Sequence, residues 1–163
     1  MSMIYLYLGM AIVIALIVYF YYFSLRRKKI PRTNSLYTDA LNAMVNGDLS
    51  NAIGLLKQVV KQDSNHVRAY LQLGNILRKE NPEQALKIHQ SLTVRPNLPR
   101  DIQVDIHTAL AEDYGFISNY KKAIEEAKLV LAIEKRNLWA LNFLINISVE
   151  NQDWEEAIGW TKQ

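Results

Sequence analysis

The chain has 163 residues, half of them apolar, no cysteine, and 19 basic against 16 acidic side chains, a formal charge of +3. Without a thiol this stretch offers no thiolate metal ligand, no cysteine nucleophile and no disulfide frame. Five of the 19 basic residues, Arg26, Arg27, Lys28, Lys29 and Arg32, sit together, leaving 14 against 16 acids elsewhere. Nucleic-acid binding needs a basic face on the folded part, so no nucleic-acid partner is expected.

The first element is apolar. Residues Ile4 to Phe23 are twenty uncharged side chains in a row. At 1.5 Å per residue a helix of that length is about 30 Å long, the thickness of a bilayer's hydrocarbon core. Residues 4–24 are therefore predicted to be a single transmembrane helix, and residues 25–34 a basic juxtamembrane linker. A cleavable secretory signal fits poorly, because the start carries no basic side chain and the apolar run closes on Tyr19, Phe20, Tyr21, Tyr22 and Phe23 rather than on small residues. Basic residues flanking a span stay on the cytoplasmic side, which puts the N-terminus outside and the rest of the chain in the cytoplasm. Arg26, Arg27, Lys28, Lys29 and Arg32 then serve as a topology signal and as contacts for anionic lipid head groups, with the membrane as a partner.

Beyond Pro31 the chain repeats itself. The stretches Asp48–Leu56, Asn81–His89, Asn119–Ala127 and Gln152–Trp160 each carry an alanine near the start of an apolar helical pattern. These alanines, Ala52, Ala85, Ala123 and Ala157, are 33, 38 and 34 residues apart. Each is preceded by a further helical run, clearest in Ala69, Tyr70, Leu73, Gly74 and Leu77 and matched by Leu36, Ala40 and Ala43, by Leu110, Ala111 and Tyr114, and by Ala140, Leu141 and Leu144. Gly47-Asp48, Asn81-Pro82 and Asn119 are breakers between the paired helices. The pattern resembles the tetratricopeptide repeat, a 34-residue helix-turn-helix. The fold class that follows is all-α, an N-terminal transmembrane helix and then a helical-hairpin solenoid. Its repeats are expected at 35–65, 67–98, 103–136 and 138–163, the last incomplete. That incompleteness implies a piece of a longer protein.

The run Ala69–Arg78, followed by Ala85–Leu92, Leu98, Asp113-Tyr114 and Tyr120–Ala123, with the long 38-residue interval, is similar to the lipopolysaccharide assembly protein B (LapB) family over roughly residues 35–160. The resemblance implies a non-enzymatic adaptor of the bacterial inner membrane. Such an adaptor regulates lipopolysaccharide synthesis by presenting the deacetylase that commits precursors to lipid A to an inner-membrane ATP-dependent protease. It also implies a C-terminal rubredoxin-like metal site built from two cysteine pairs, which this chain does not carry; no cofactor is expected within it. The alternative reading is a membrane-tethered periplasmic chaperone or assembly scaffold.

Catalytic constellations are missing. His66, His89 and His107 are about twenty residues apart, none with the i, i+4 partner of zinc helices. There is neither a Gly-rich phosphate loop nor a G-x-S-x-G elbow. His89 takes a position where the repeat buries a large apolar group, so it is expected to be a satisfied core histidine. Binding has a natural place instead, since stacked hairpins curve and present first-helix residues on the concave side. By register those are Tyr37, Leu41 and Met44; Arg68, Leu71, Asn75 and Arg78; Thr108 and Glu112; and Trp139, Asn142 and Asn146. Asn75 offers an amide for peptide backbone and Arg78, one turn on, a fork for a carboxylate or a neighbouring acid. The basic clamp that holds heat-shock-protein tails is not reproduced.

Overall fold

A computed structural model describes residues 2–25 and 32–161. Within them the chain is all helical: α1 (Ser2–Leu25), α2 (Arg32–Val45), α3 (Leu49–Gln62), α4 (Val67–Leu77), α5 (Pro82–Thr93), α6 (Arg100–Phe116), α7 (Tyr120–Ile133), α8 (Leu138–Glu150) and α9 (Trp154–Thr161). Helices α2 to α9 pack as four successive hairpins, and each second helix also packs on the next first helix.

The local chemistry explains the boundaries. Six helices start on a side chain that accepts from the exposed backbone N–H three residues on: Asp48, His66 through Nδ1, Asn81, Asn119, Asn137 and Asp153. Pro82 occupies the first turn of α5, where its missing N–H costs nothing. Three of the hairpin turns are the same closing motif. Gly47, Ser118 and Gln152 sit in the left-handed region with φ of 77°, 59° and 59°. In each turn this residue donates its N–H to the carbonyl three back, and the next residue donates to the carbonyl five back: Asp48 to Ala43 at 2.9 Å, Asn119 to Tyr114 at 2.8 Å, and Asp153 to Ser148 at 2.8 Å. The α4–α5 turn is one residue longer, 78–81 against three residues in each of the others, and lacks the motif, closing by the Asn81 N–H on Leu77 O at 2.7 Å.

The repeat alanines mark where helices approach most closely. Ala52, Ala85 and Ala123 are fully buried, and Ala157 nearly so. The core is continuous across hairpins rather than confined within them. Leu71, Leu92, Ile102, Ile106, Leu110, Tyr114 and Ile147 form one cluster drawn from α4, α5, α6 and α8. Ala40, Leu56, Val59, Leu73, Leu77 and Ala85 form another across α2 to α5. No single hairpin buries its apolar face alone, which is why the pattern repeats.

One expectation is overturned. Among the described residues no helix is long and apolar enough to cross a membrane. This corrects the transmembrane helix predicted at 4–24, and with it the placement as a single-pass inner-membrane protein. Arg26, Arg27, Lys28 and Lys29, and the side chain of Arg32, lie outside the described residues.

Candidate functional site

The first helices α4, α6 and α8 line one side of the array, and two depressions open along it. The smaller, about 230 Å³, lies between α4 and α6 and is lined by Leu71, Gln72, Asn75, Asp105, Thr108, Ala109 and Glu112. The larger, about 500 Å³, continues toward α8 past Gly115, Phe116, Tyr120, Phe143, Asn146 and Glu150. Glu112 lines both and Arg78 edges the larger. Leu71 is itself buried and forms an apolar floor beneath amide, hydroxyl and carboxylate groups. That combination of an apolar base and a few convergent polar groups suits an extended polypeptide.

A buried polar network sets the spacing of α4 and α6. Arg78 caps the C-terminus of α4. Its Nε donates to Asp113 Oδ1 at 2.6 Å, its Nη1 to Glu112 Oε2 at 2.6 Å, and its Nη2 to Asn75 Oδ1 at 3.0 Å and Ala109 O at 3.3 Å. The second oxygen of Asp113 meets His89 Nδ1 at 2.6 Å, and His89 Nε2 reaches Leu71 O at 3.2 Å. A carbonyl only accepts, so Nε2 carries a hydrogen. His89 and Asp113 are both shut off from solvent, and every polar atom of the pair has a partner, as buried polar groups require. Gly74 makes this possible. A Cβ there would lie 2.3 Å from His89 Nε2, so the ring occupies the space a side chain would take.

The residues expected from register are thus brought together in part. Leu71, Asn75, Thr108 and Glu112 share the smaller depression, while Arg78 and Asn146 border the larger. The Arg78 fork is spent on Asp113 and Glu112, and Asn75 is bonded to it. Tyr37 and Met44 pack against the core of the first hairpin, and Leu41 is half-buried. Tyr37 lies 4.6 Å from the His66 ring; burial raises its phenol pKa and Arg68 opposes the rise. Arg68 pairs at the surface with Asp101 at 3.0 Å. Trp139 stacks on Phe143 at 4.9 Å and is half-buried, whereas Asn142 and Asn146 are exposed. His89 is the satisfied core histidine expected from its position. His107 is tied to Glu126 through Nδ1 at 2.7 Å.

Register missed Gln72, Asp105, Phe116 and Phe143. Asp105 was within reach, because the 37-residue offset that relates Asn75 to Glu112 also relates Arg68 to Asp105. Partial burial raises the Asp105 pKa against an opposing pull from Arg68, and Asp101 and Glu134 add to the rise. Among the described residues no group of three or more His, Cys, Asp or Glu is placed to hold a metal. A rubredoxin-like centre needs cysteine pairs that these 163 residues lack, so they do not fit that group.

No protein-family model matches the chain. Lipopolysaccharide assembly protein B of Escherichia coli K12 is 25% identical over 123 residues, which are 75% of this chain and 32% of that protein. The chain therefore spans about a third of the length of the curated relatives it matches. Among solved structures, MamA (residues 41 to the end) from Desulfovibrio magneticus RS-1 superposes with a TM-score of 0.69 at 18% identity, over 80% of this chain and 72% of that one. A tetratricopeptide repeat protein from Parabacteroides merdae gives 0.66 at 19% identity, over 78% and 50%. These likenesses and the four stacked hairpins establish the fold of this chain as a tetratricopeptide-type solenoid.

Proposed function

We propose that this solenoid regulates lipopolysaccharide synthesis as an adaptor, presenting the lipid A deacetylase to an ATP-dependent protease. The observation that carries the reading is the similarity to lipopolysaccharide assembly protein B over 75% of the chain. The geometry is consistent with it, because the α4–α6 depression offers Asn75, Gln72 and Thr108 to a polypeptide above an apolar floor. The likeness to tetratricopeptide structures and to this relative fits a non-catalytic role.

Mechanistically the adaptor supplies proximity. Two proteins held on one array meet at an effective concentration far above their free one, with no new chemistry. The rigid α4–α6 spacing keeps the binding face ready-made, which lowers the ordering cost of capture. The test is to delete the gene and follow deacetylase abundance after translation is blocked. The deacetylase should persist longer in the deletion, and unchanged turnover refutes the assignment.

A further inference from the structure

The interval between the second and third repeat alanines is 38 residues, against 33 and 34 for the other two. The extra residues are spent in the α5–α6 connection and in α6, the longest of the hairpin helices at 17 residues. That connection, with the start of α6, encloses a pocket of about 280 Å³ on a different side of α6 from the α4–α6 depression, lined by Thr93, Arg95, Asn97, Gln103 and His107 among others. A pocket of this size takes a small molecule or a head group.

Its charge is unbalanced. None of its lining residues is acidic. Arg95 has no ion pair among the described residues, and its guanidinium lies over the Tyr70 ring, 4.8 Å from the centroid. Its Nη1 is shut away from solvent with no hydrogen-bond partner. A guanidinium donor left unpaired out of water carries a desolvation cost, and a planar fork held by an aromatic face is already oriented for a two-oxygen acceptor. Gln103 holds the connection in shape by donating from Nε2 to Leu98 O at 2.8 Å. His107 is the second ionisable group on the wall, and Glu126 faces its Nδ1 at 2.7 Å. Asn97 takes a left-handed φ of 56°, which turns the connection back over the pocket.

We infer that this pocket binds an oxyanion, phosphate or carboxylate, with Arg95 as its principal donor and Thr93, Asn97 and Gln103 as neutral partners. The site is independent of the adaptor reading. It occupies the longest of the three intervals between repeat alanines, and so converts an insertion into a second, chemically distinct surface.

The experiment titrates the full chain, ¹⁵N-labelled, with inorganic phosphate in one arm and acetate in the other, balancing ionic strength with chloride. Saturable shifts at the amides of residues 95–107 are expected, and comparison of the arms tells a phosphate site from a carboxylate one. Arg95→Leu should weaken the binding about tenfold, the loss of one charge-assisted contact. Arg95→Lys keeps the charge and the stem but not the fork, and should weaken it several-fold even if the leucine variant fails to fold. Linear, non-saturating shifts in both arms, or saturation unaffected by either variant, overturn the proposal. A loss of stability in Arg95→Lys with no anion effect assigns Arg95 to packing on Tyr70 and overturns it as well.

Discussion

Replacing Gly74 with alanine tests whether the polar network holds the array together. Alanine is the better helix former by about 1 kcal/mol, so on propensity alone the variant gains stability. The structure demands the opposite. The new methyl would meet His89 Nε2 at 2.3 Å, Cε1 at 2.6 Å and Cδ2 at 2.9 Å, all inside the closest approach real side chains make. The ring cannot retreat freely, because Nδ1 is held by Asp113 and Nε2 by Leu71 O. Moving it gives up a carbonyl bond worth about 1 kcal/mol and strains a charge-assisted one worth roughly 1.5–3 kcal/mol. Crowding a packed interior adds about 1–3 kcal/mol where the backbone shifts instead. Set against the helical gain, the net loss where the ring moves is about 1.5–3 kcal/mol. Urea unfolding followed by far-ultraviolet circular dichroism reads it as a lower midpoint. In a His89→Ala background the obstacle is gone, and Gly74→Ala should then be neutral or mildly stabilising. A wild-type background that tolerates Gly74→Ala at no cost refutes the claim that the ring is fixed.

Three other outcomes follow from the geometry. Ser118→Gly and Gln152→Gly remove a Cβ from left-handed positions and should each raise stability by about 0.5–1 kcal/mol, whereas Gly47→Ala should lower it by about 1 kcal/mol; thermal midpoints of the three variants check this. Asp105 has its pKa raised in the folded state, so the fold binds the proton more tightly than the unfolded chain does, and stability falls as pH rises from the ordinary aspartate value through the raised one. Asp105→Asn should flatten that part of a midpoint-versus-pH curve, and an unchanged curve contradicts the assignment. Thr108→Trp fills the α4–α6 depression from a half-buried position; it should weaken client capture at least tenfold with the unfolding midpoint nearly unchanged, and undiminished capture would place the client elsewhere.

The repeat register was legible because each alanine is forced by close helix approach, and a steric requirement leaves the same mark in every copy. The same logic marked Leu71, Asn75, Thr108 and Glu112 as neighbours. What sequence did not disclose was the use of Arg78. Its partners Glu112 and Asp113 lie 34 and 35 residues away, and neither propensity nor periodicity says whether a fork on a first helix faces a ligand or the next repeat. The different closure of the α4–α5 turn was equally silent, since one added residue leaves the helical pattern intact. Apolarity over residues 4–24 predicts a span, yet among the described residues no helix is long and apolar enough to cross a membrane. The pocket behind the long connection was visible only as an odd interval, because a spacing does not show what its extra residues enclose.

In a linear array, global stability divides into the stability of each unit and the coupling between neighbours. The bonds from Arg78 and His89 to Asp113 load one of those couplings above the rest, welding the second and third hairpins at their shared boundary. The array should then not open hairpin by hairpin. Amide protons in α4 to α7 should exchange through one common opening, while α8 and α9 open separately and sooner. A binding face carried on the welded pair keeps its shape while its flanks breathe, so a client can be gripped firmly at the centre of a partly opened array.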